Sequence, residues 1–478
     1  MLAGTCLIIM KRKQYLVKNT ALFALNVIGT KLIIFLLVPL YTNAFTTAEY
    51  GTVDLINTIV TILVPIITIN IGESVMRFAL DENSDKNHIM SIGLFFAGLS
   101  LLLGISVVII LSWFPNITVN WRLVYLYCVS QGVYQIFSCN LRGQEKLMHY
   151  AAGNILNTFM NAALNIFFLL VMKVGVDGYF YAYIISFTVA ATYCFLSGNV
   201  ISTVKNYHID KTLMKYMTKY SIVLVPNSFM WWIMNSSDHV MVTSMISIGA
   251  NGVYAISYKL PSILSALSTV FNQAWSYSAI HENKSSDKEE FNNAMYDKLV
   301  RFQLMITVFL MCIMKPFLKI YVQPSYYHAW KYTPYLLVGN FFLTMGTFLS
   351  TCYTVNKDSK GFLFSGLAGA GINVTMNWIL IPQFGIHGAA FATCISYIIV
   401  FLYRVIDTRK YMVIHVFKPV YVIEYMILIG AACTMAIPAV VGQVIMVLEF
   451  FVLLMINYRF IRECMNMFCG LICKLIKL

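Results

Sequence analysis

Runs of apolar residues, each closed by a short polar or Gly/Pro segment, recur fourteen times along the chain. They cover about residues 17–45, 49–72, 87–113, 119–141, 147–172, 177–200, 217–247, 251–279, 298–321, 330–355, 360–381, 385–407, 418–438 and 443–461. Each is long enough for a helix to cross a bilayer core of about 30 Å. The pattern predicts an all-α, polytopic membrane protein of about fourteen transmembrane helices, with no room left for a soluble domain. Composition points the same way: 59% of the 478 residues are apolar and 11% charged, where soluble domains carry about 45–50% and about 25%.

Charge then orients the chain. The net charge is +13, which in a membrane protein reflects basic cytoplasmic loops, so no nucleic-acid partner is expected. With the N-terminus inside, 26 Lys and Arg fall on the cytoplasmic side and five outside, namely Arg122, Lys173, Lys315, Lys319 and Lys331; Lys31 and Lys259 stay within spans. That asymmetry predicts an N-in, C-in protein. Trp113, Trp121 and Trp330 sit beside outer loops, as an interfacial belt requires. The eleven cysteines include no C-x-x-C pair, and Cys464, Cys469 and Cys473 have no histidine nearby, so neither metal nor cofactor is expected. Leu2-Ala3-Gly4-Thr5-Cys6 resembles a lipoprotein signal, but the basic Lys11-Arg12-Lys13 follows it where such a cluster should precede. The expectation is a fold that begins near Met10, without signal or lipid anchor.

The chain also repeats itself. Asn161-x3-Asn165, Gly175-Val176-Asp177-Gly178 and Ser186 recur as Asn373-x3-Asn377, Gly385-Ile386-His387-Gly388 and Ser396. A weaker pair sets Glu49-Tyr50-Gly51 against Ala250-Asn251-Gly252, shifted by 201. Six spans separate the copies, so the halves share one orientation and are related by an axis along the membrane normal. The predicted organisation is an N-terminal tail 1–15, a first six-helix lobe 16–204, a cytoplasmic linker 205–216, a second lobe 217–410 and an appended helix pair with tail, 411–478. Two lobes facing a central cavity suit alternating access, with a site near the midplane.

Several motifs carry a family resemblance. Leu16-Val17-Lys18-Asn19-Thr20, Gly29-Thr30-Lys31-Leu32-Ile33, Pro39-Leu40-Tyr41-Thr42, Ala48-Glu49-Tyr50-Gly51 and Glu73-x3-Arg77-Phe78 resemble the start of bacterial polysaccharide flippases. These form the oligosaccharide branch of the multidrug/oligosaccharidyl-lipid/polysaccharide exporter superfamily, with a MATE-like fold. Pro226-Asn227-Ser228, Trp231-Trp232, Asn235-Ser236-Ser237-Asp238 and Gly252-Val253-Tyr254 are similar to the same family. The resemblance implies a flippase of the bacterial inner membrane that moves undecaprenyl-diphosphate-linked oligosaccharide to the outer leaflet for O-antigen (lipopolysaccharide) or capsule assembly. Implied partners are that substrate, membrane lipid, a coupling ion (H⁺ or Na⁺), and polymerase and chain-length machinery.

Polar residues inside apolar spans are the candidate substrate-binding residues. Lys31 lies about twelve residues, roughly 18 Å, into the first span, too deep to snorkel easily; it is either a functional charge or half of a structural ion pair. Asn227, Trp231, Asn235 and Asp238 share one face of the seventh span, where Trp231 could stack on a sugar or simply pack. Tyr258, Ser262, Ser265, Thr269, Asn272 and Ser276 form a stripe on the eighth, read as a wet lumen or as helix–helix cement. Lys259 could reach Asp238 across a short loop. Glu73 and Arg77, at i and i+4, read as a surface pair or as a site that the resemblance supports. The repeated Asn pairs read as fold-fixing hydrogen bonds.

Two alternatives stay open. A cation-coupled drug exporter of the same fold needs buried carboxylates, and the first span offers Lys31 and no acid. A polymerase or lipid-linked glycosyltransferase needs a D-x-D pair or a long outer loop, and neither is present. Nor is a G-x-x-x-x-G-K-[ST] loop, so no enzymatic activity is expected.

Overall fold

The computed structural model describes residues 28–81, 84–111, 120–282, 287–356, 358–437 and 439–466. The tail 1–15, the first span before Ile28, Trp113, Cys469 and Cys473 lie outside the described residues. Within them the chain is helical, with no strand. All fourteen expected segments contain helix. In chain order these are α1 (Ile28–Ala44), α2 (Thr47–Ile67), α3 (Ile71–Ala79), α4 (Lys86–Leu111), α5 (Trp121–Gly143), α6 (Leu147–Ile166, ending in a π turn), α7 (Val176–Ser197) and α8 (Val200–Lys205). There follow α9 (Lys211–Met245), α10 (Ile248–Ser257), α11 (Lys259–Glu282), α12 (Lys288–Tyr321), α13 (Thr333–Val355), α14 (Ser359–Phe384), α15 (Ile386–Asp407), α16 (Pro419–Thr434) and α17 (Ala439–Ile456). A last helix, α18 (Tyr458–Asn466), turns from α17 by 68°.

Among the described residues eight helices are long and apolar enough to cross a membrane, or nine with the bent α17–α18 pair. That is fewer than the expected fourteen. The shortfall lies partly in α5, α9 and α11, whose glutamines, asparagines and lysines dilute their apolar windows. The expected eighth span is broken at Tyr258 into α10 and α11.

By its contacts the chain forms two compact units, Met1–Gly252 and Val253–Leu478. The repeat is visible in each. In the first, Asn165 Nδ2 donates to Asn161 Oδ1 (3.1 Å) and Asn161 Nδ2 to Ser186 Oγ (3.5 Å), tying α6 to α7. In the second, Asn377 Nδ2 donates to Asn373 Oδ1 (3.0 Å), but Asn373 Nδ2 donates to Thr393 Oγ1 (3.3 Å), and the Ser396 hydroxyl donates to the Ala392 carbonyl (2.6 Å). These amides are buried between helices, as fold-fixing bonds should be. Gly175 (φ 74°) and Gly385 (φ 59°) start α7 and α15 and are the positive-φ glycines among the described residues. Any other residue there would be strained.

The weaker repeat is equally physical. Thr46 caps α2, its Oγ1 accepting from Glu49 N–H (3.3 Å), and Ser247 caps α10, its Oγ accepting from Ala250 N–H (3.1 Å). The two helix starts cross with backbone against backbone. A Cβ on Gly51 would lie 1.9 Å from the Ile248 carbonyl oxygen, and one on Gly252 would lie 2.0 Å from that of Thr47. Since Thr47 and Ile248 also occupy equivalent repeat positions, the crossing has an approximate two-fold symmetry.

In the second unit α12 holds the last helices at both ends. Arg301 bonds Asp297 (2.8 Å) one turn back and Asn457 Oδ1 (2.7 Å), while Asn457 Nδ2 donates to the fully buried Glu424 (2.8 Å) and Tyr421 O–H to Asp297 (2.6 Å). Fourteen residues on, about 21 Å along the helix, buried Lys315 donates to the Met435 carbonyl (2.9 Å) and lies over the Trp330 ring (4.3 Å). Asp358, ahead of α14, accepts from Gly361 N–H (2.9 Å) and Tyr411 O–H (2.8 Å) and faces Lys410 (3.3 Å). The Gly361 bond first, then the others, hold its carboxyl below the usual range. That support is present at neutral pH and is lost as acid protonates it.

Candidate functional site

The first unit holds a half-open cavity of about 390 Å³, lined by both polar and apolar side chains, between α2, α3, α5, α6 and α7. Its polar walls are Gln131, Gln135, Ser138 and Arg142 of α5, Glu73 of α3, and Tyr150 and Asn154 of α6; Val64, Pro65 and Phe187 are apolar. The four α5 positions step by four, three and four, so they form one stripe on one helix face.

Close backbone approach puts Glu73 beside that stripe. A Cβ on Gly143 would lie 2.7 Å from that of Ala79, and one on Gly72 would lie 3.4 Å from the Cys139 sulfur. Between α2 and α3 the chain turns through two left-handed residues, Ile69 (φ 51°) and Asn70 (φ 55°). A β-branched residue in that region is a true outlier, of order 1–3 kcal/mol, and such strain collects at functional sites. Asn70 is held by its Nδ2 bond to Ser228 Oγ (3.0 Å), so the kink that aims α3 is anchored on α9.

Within the cavity the Arg142 guanidinium lies over the Tyr150 ring at 5.5 Å, Tyr134 O–H donates to Asn154 Oδ1, and the enclosed Gln131 Oε1 accepts no hydrogen bond. An amide acceptor without a donor inside a polar cavity is a place for water or a ligand hydroxyl. The site therefore offers one cation, one carboxylate, several amides and aromatic faces. It contains no nucleophile–base pair of the kind that covalent catalysis requires.

The residues singled out from sequence do not gather here. Lys31 is exposed on α1. Arg77 is exposed and pairs with Asp81 at 2.7 Å, not with Glu73, which lines the cavity. On α9, Asn227 and Trp231 are exposed, Asn235 is half-buried with Nδ2 on the Trp231 carbonyl (2.7 Å), and Asp238 is buried with Oδ1 on His239 N–H (3.1 Å). The adjacent Trp232 donates Nε1 to the Thr58 carbonyl (2.8 Å).

Lys259 opens α11 in the second unit, half-buried, with Ser262 Oγ donating to its carbonyl (2.7 Å). Of the α11 stripe, Ser265 accepts from Asn340 Nδ2 (2.6 Å) and Ser276 meets Thr351 (3.5 Å), so these cement α11 to α13. Thr269 is exposed and bonds only the Ser265 carbonyl (2.8 Å) among the bonds found. What sequence reasoning missed was the α5 stripe, whose Arg142 it counted only as an orientation charge.

Repeated helical bundles, with at least eight helices among the described residues long and apolar enough to cross a bilayer, are the build of a multi-pass membrane protein. Solved structures agree. The chain resembles a lipid II flippase, MurJ, in an inward closed conformation (TM-score 0.66, 13% identity, 94% of this chain and 100% of that one). It also resembles an inward-facing multidrug resistance MATE family transporter (0.64, 12%, 80% and 94%) and a MOP superfamily transporter from Pyrococcus furiosus (0.56, 13%, 82% and 95%). At these identities the likeness is one of fold. No curated protein sequence matches the chain. The family described as "Polysaccharide biosynthesis protein" matches residues 16–284, more than half of the chain, and the chain belongs to that family.

Proposed function

We propose that the chain is a secondary-type flippase that carries undecaprenyl-diphosphate-linked oligosaccharide from the cytoplasmic to the outer leaflet of a bacterial inner membrane, N-in and C-in, for O-antigen or capsule assembly. The observation that carries this reading is the cavity of the first unit, amide-rich and lined by tyrosines, in a polysaccharide family member. Sugars are bound by amides and aromatic faces, and an arginine fork matches a phosphate or an acidic sugar. The lipid tail stays in the bilayer. In this reading 16–204 and 217–410 act as lobes joined by 205–216, with 411–478 appended, and H⁺ or Na⁺ drives the cycle. Lys31 attracts the anionic group; exposed Trp231 and Thr269, with Arg77, Asn235, Asp238, Lys259 and Ser262, serve as further contacts on the route.

Deleting the gene in its own bacterium should trap lipid-linked oligosaccharide on the cytoplasmic leaflet and remove surface glycan. Unchanged glycan with raised drug sensitivity would instead establish an exporter of drugs. In the complemented strain, Lys31→Ala should lower export about tenfold or more, the scale of a lost charged hydrogen bond, at wild-type protein level, while Lys31→Arg keeps part of it. Normal export by Lys31→Gln would refute electrostatic capture.

A further inference from the structure

Beside the glycine crossing of α2 and α10 lies a buried polar cluster that the crossing does not require. His239 of α9 places Nδ1 2.7 Å from Asp54 Oδ2 on α2 and 3.1 Å from Asn251 Oδ1 on α10. Both neighbours are acceptors, so Nδ1 carries the hydrogen. Asn251 Nδ2 donates to the Gly51 carbonyl (3.1 Å) and to Asp54 Oδ2 (3.2 Å), and Asp238 Oδ1 takes the His239 backbone N–H (3.1 Å). The histidine side chain is 10% exposed and that of Asp54 18%.

The repeat isolates what is special here. Gly51 and Gly252 correspond, but the counterpart of Asp54 is Ala255 and that of Asn251 is Tyr50. Glycines alone close the crossing, so burying an acid and an imidazole beside it adds a desolvation cost that the architecture does not need. The ionisable and charged groups at this end include Glu49, Tyr50 and Asp54 on α2, Asp238 on α9 and Tyr254 on α10. Those of α3 and α4 lie elsewhere: Ser74 meets α9 at Met217 (2.9 Å), about 33 Å of helix before His239, and His88 meets His208 (5.0 Å), which precedes α9.

We propose that His239 is a proton-binding site that clasps this crossing shut: the imidazolium sits against the Asp54 carboxylate and the Asn251 side-chain oxygen, and loss of its proton leaves a neutral ring beside that carboxylate. The acceptors on α2 and α10 surround the ring only while the crossing is closed. A proton held more tightly by the closed form favours that form, and closure favours proton binding by the same factor. In the orientation proposed above this is the outer end, where an acid exterior would load the site.

Hydrogen exchange of the purified full chain, at pH 6 and pH 8 with intrinsic rates corrected, tests this without any substrate, so its failure leaves the flippase reading standing and the reverse. Amides of residues 51–58 should exchange on the order of fivefold or more slowly at pH 6. His239→Gln should show one rate at both pH values, and Asp54→Asn should shrink the difference. Equal wild-type protection at both pH values, or a pH effect that survives in His239→Gln, overturns the proposal. Loss of protection in both variants throughout α13–α15 makes the cluster a folding element and overturns it as well.

Discussion

Replacing Arg142 by alanine should abolish glycan export while the protein still reaches the membrane at its normal level. Arg142 is the cation among the described cavity-lining residues, half-buried at the end of the α5 stripe and stacked on Tyr150. A charge-assisted bond to a ligand anion is worth about 1.5–3 kcal/mol, or roughly 10–150-fold in binding. Arg142→Lys should fall between, since it keeps the charge and loses both the planar fork and the stacking. Glu73→Gln removes the opposing charge and should leave more activity than Arg142→Ala. Pulse-labelled surface glycan measures all three. Wild-type export by Arg142→Ala would remove the cavity from the substrate's path.

The largest stability effect is expected at the glycine crossing. In Gly51→Ala the new methyl would lie 1.9 Å from a carbonyl oxygen and 2.9 Å from the Gly252 nitrogen, with backbone on both sides and no side chain to move aside. Overpacking ordinarily costs about 1–3 kcal/mol; rigid backbone overlap should exceed that, and Gly252→Ala should match it. Gly366→Ala and Gly371→Ala are the controls. Nothing lies within 4 Å of either added Cβ, and alanine inside a helix gains up to about 1 kcal/mol over glycine. Thermal unfolding in detergent should separate the pairs clearly. A Gly51→Ala protein that melts within about 2 °C of wild type would show that the helix starts are not in contact.

Much of the fold could be read directly because it rests on local chemistry that repeats. Asn161/Asn165 with Gly175, and Asn373/Asn377 with Gly385, mark helix-to-helix bonds and left-handed turns, both of which demand particular residues. The cavity was harder to see. It depends on a kink at Ile69–Asn70, where Asn70 suits the left-handed region but the β-branched Ile69 inside an apolar run gives no sign of it, and on which of two acidic neighbours takes Arg77. A polar stripe also looks the same in sequence whether it is wet or bonded to another helix: Ser265 and Ser276 turned out to be bonded to α13, whereas Gln131, Gln135 and Arg142 line open space. The eighth span breaks at Tyr258 because Pro261, in the first turn of α11, has no N–H for the Ser257 carbonyl that ends α10.

The network around Arg301 has a consequence for how the chain is made. Its partners Glu424 and Asn457 are synthesised 123 and 156 residues later, on the order of ten seconds at ribosomal speed. During that interval α12 must stand beside the insertion machinery with a guanidinium matched only by Asp297, one turn away on the same helix. In the proposed orientation that internal pair holds the charge at the cytoplasmic end of α12 until the later partners arrive. A ribosome stalled before Glu424 would leave a nascent protein in which Arg301 lacks both of its later partners.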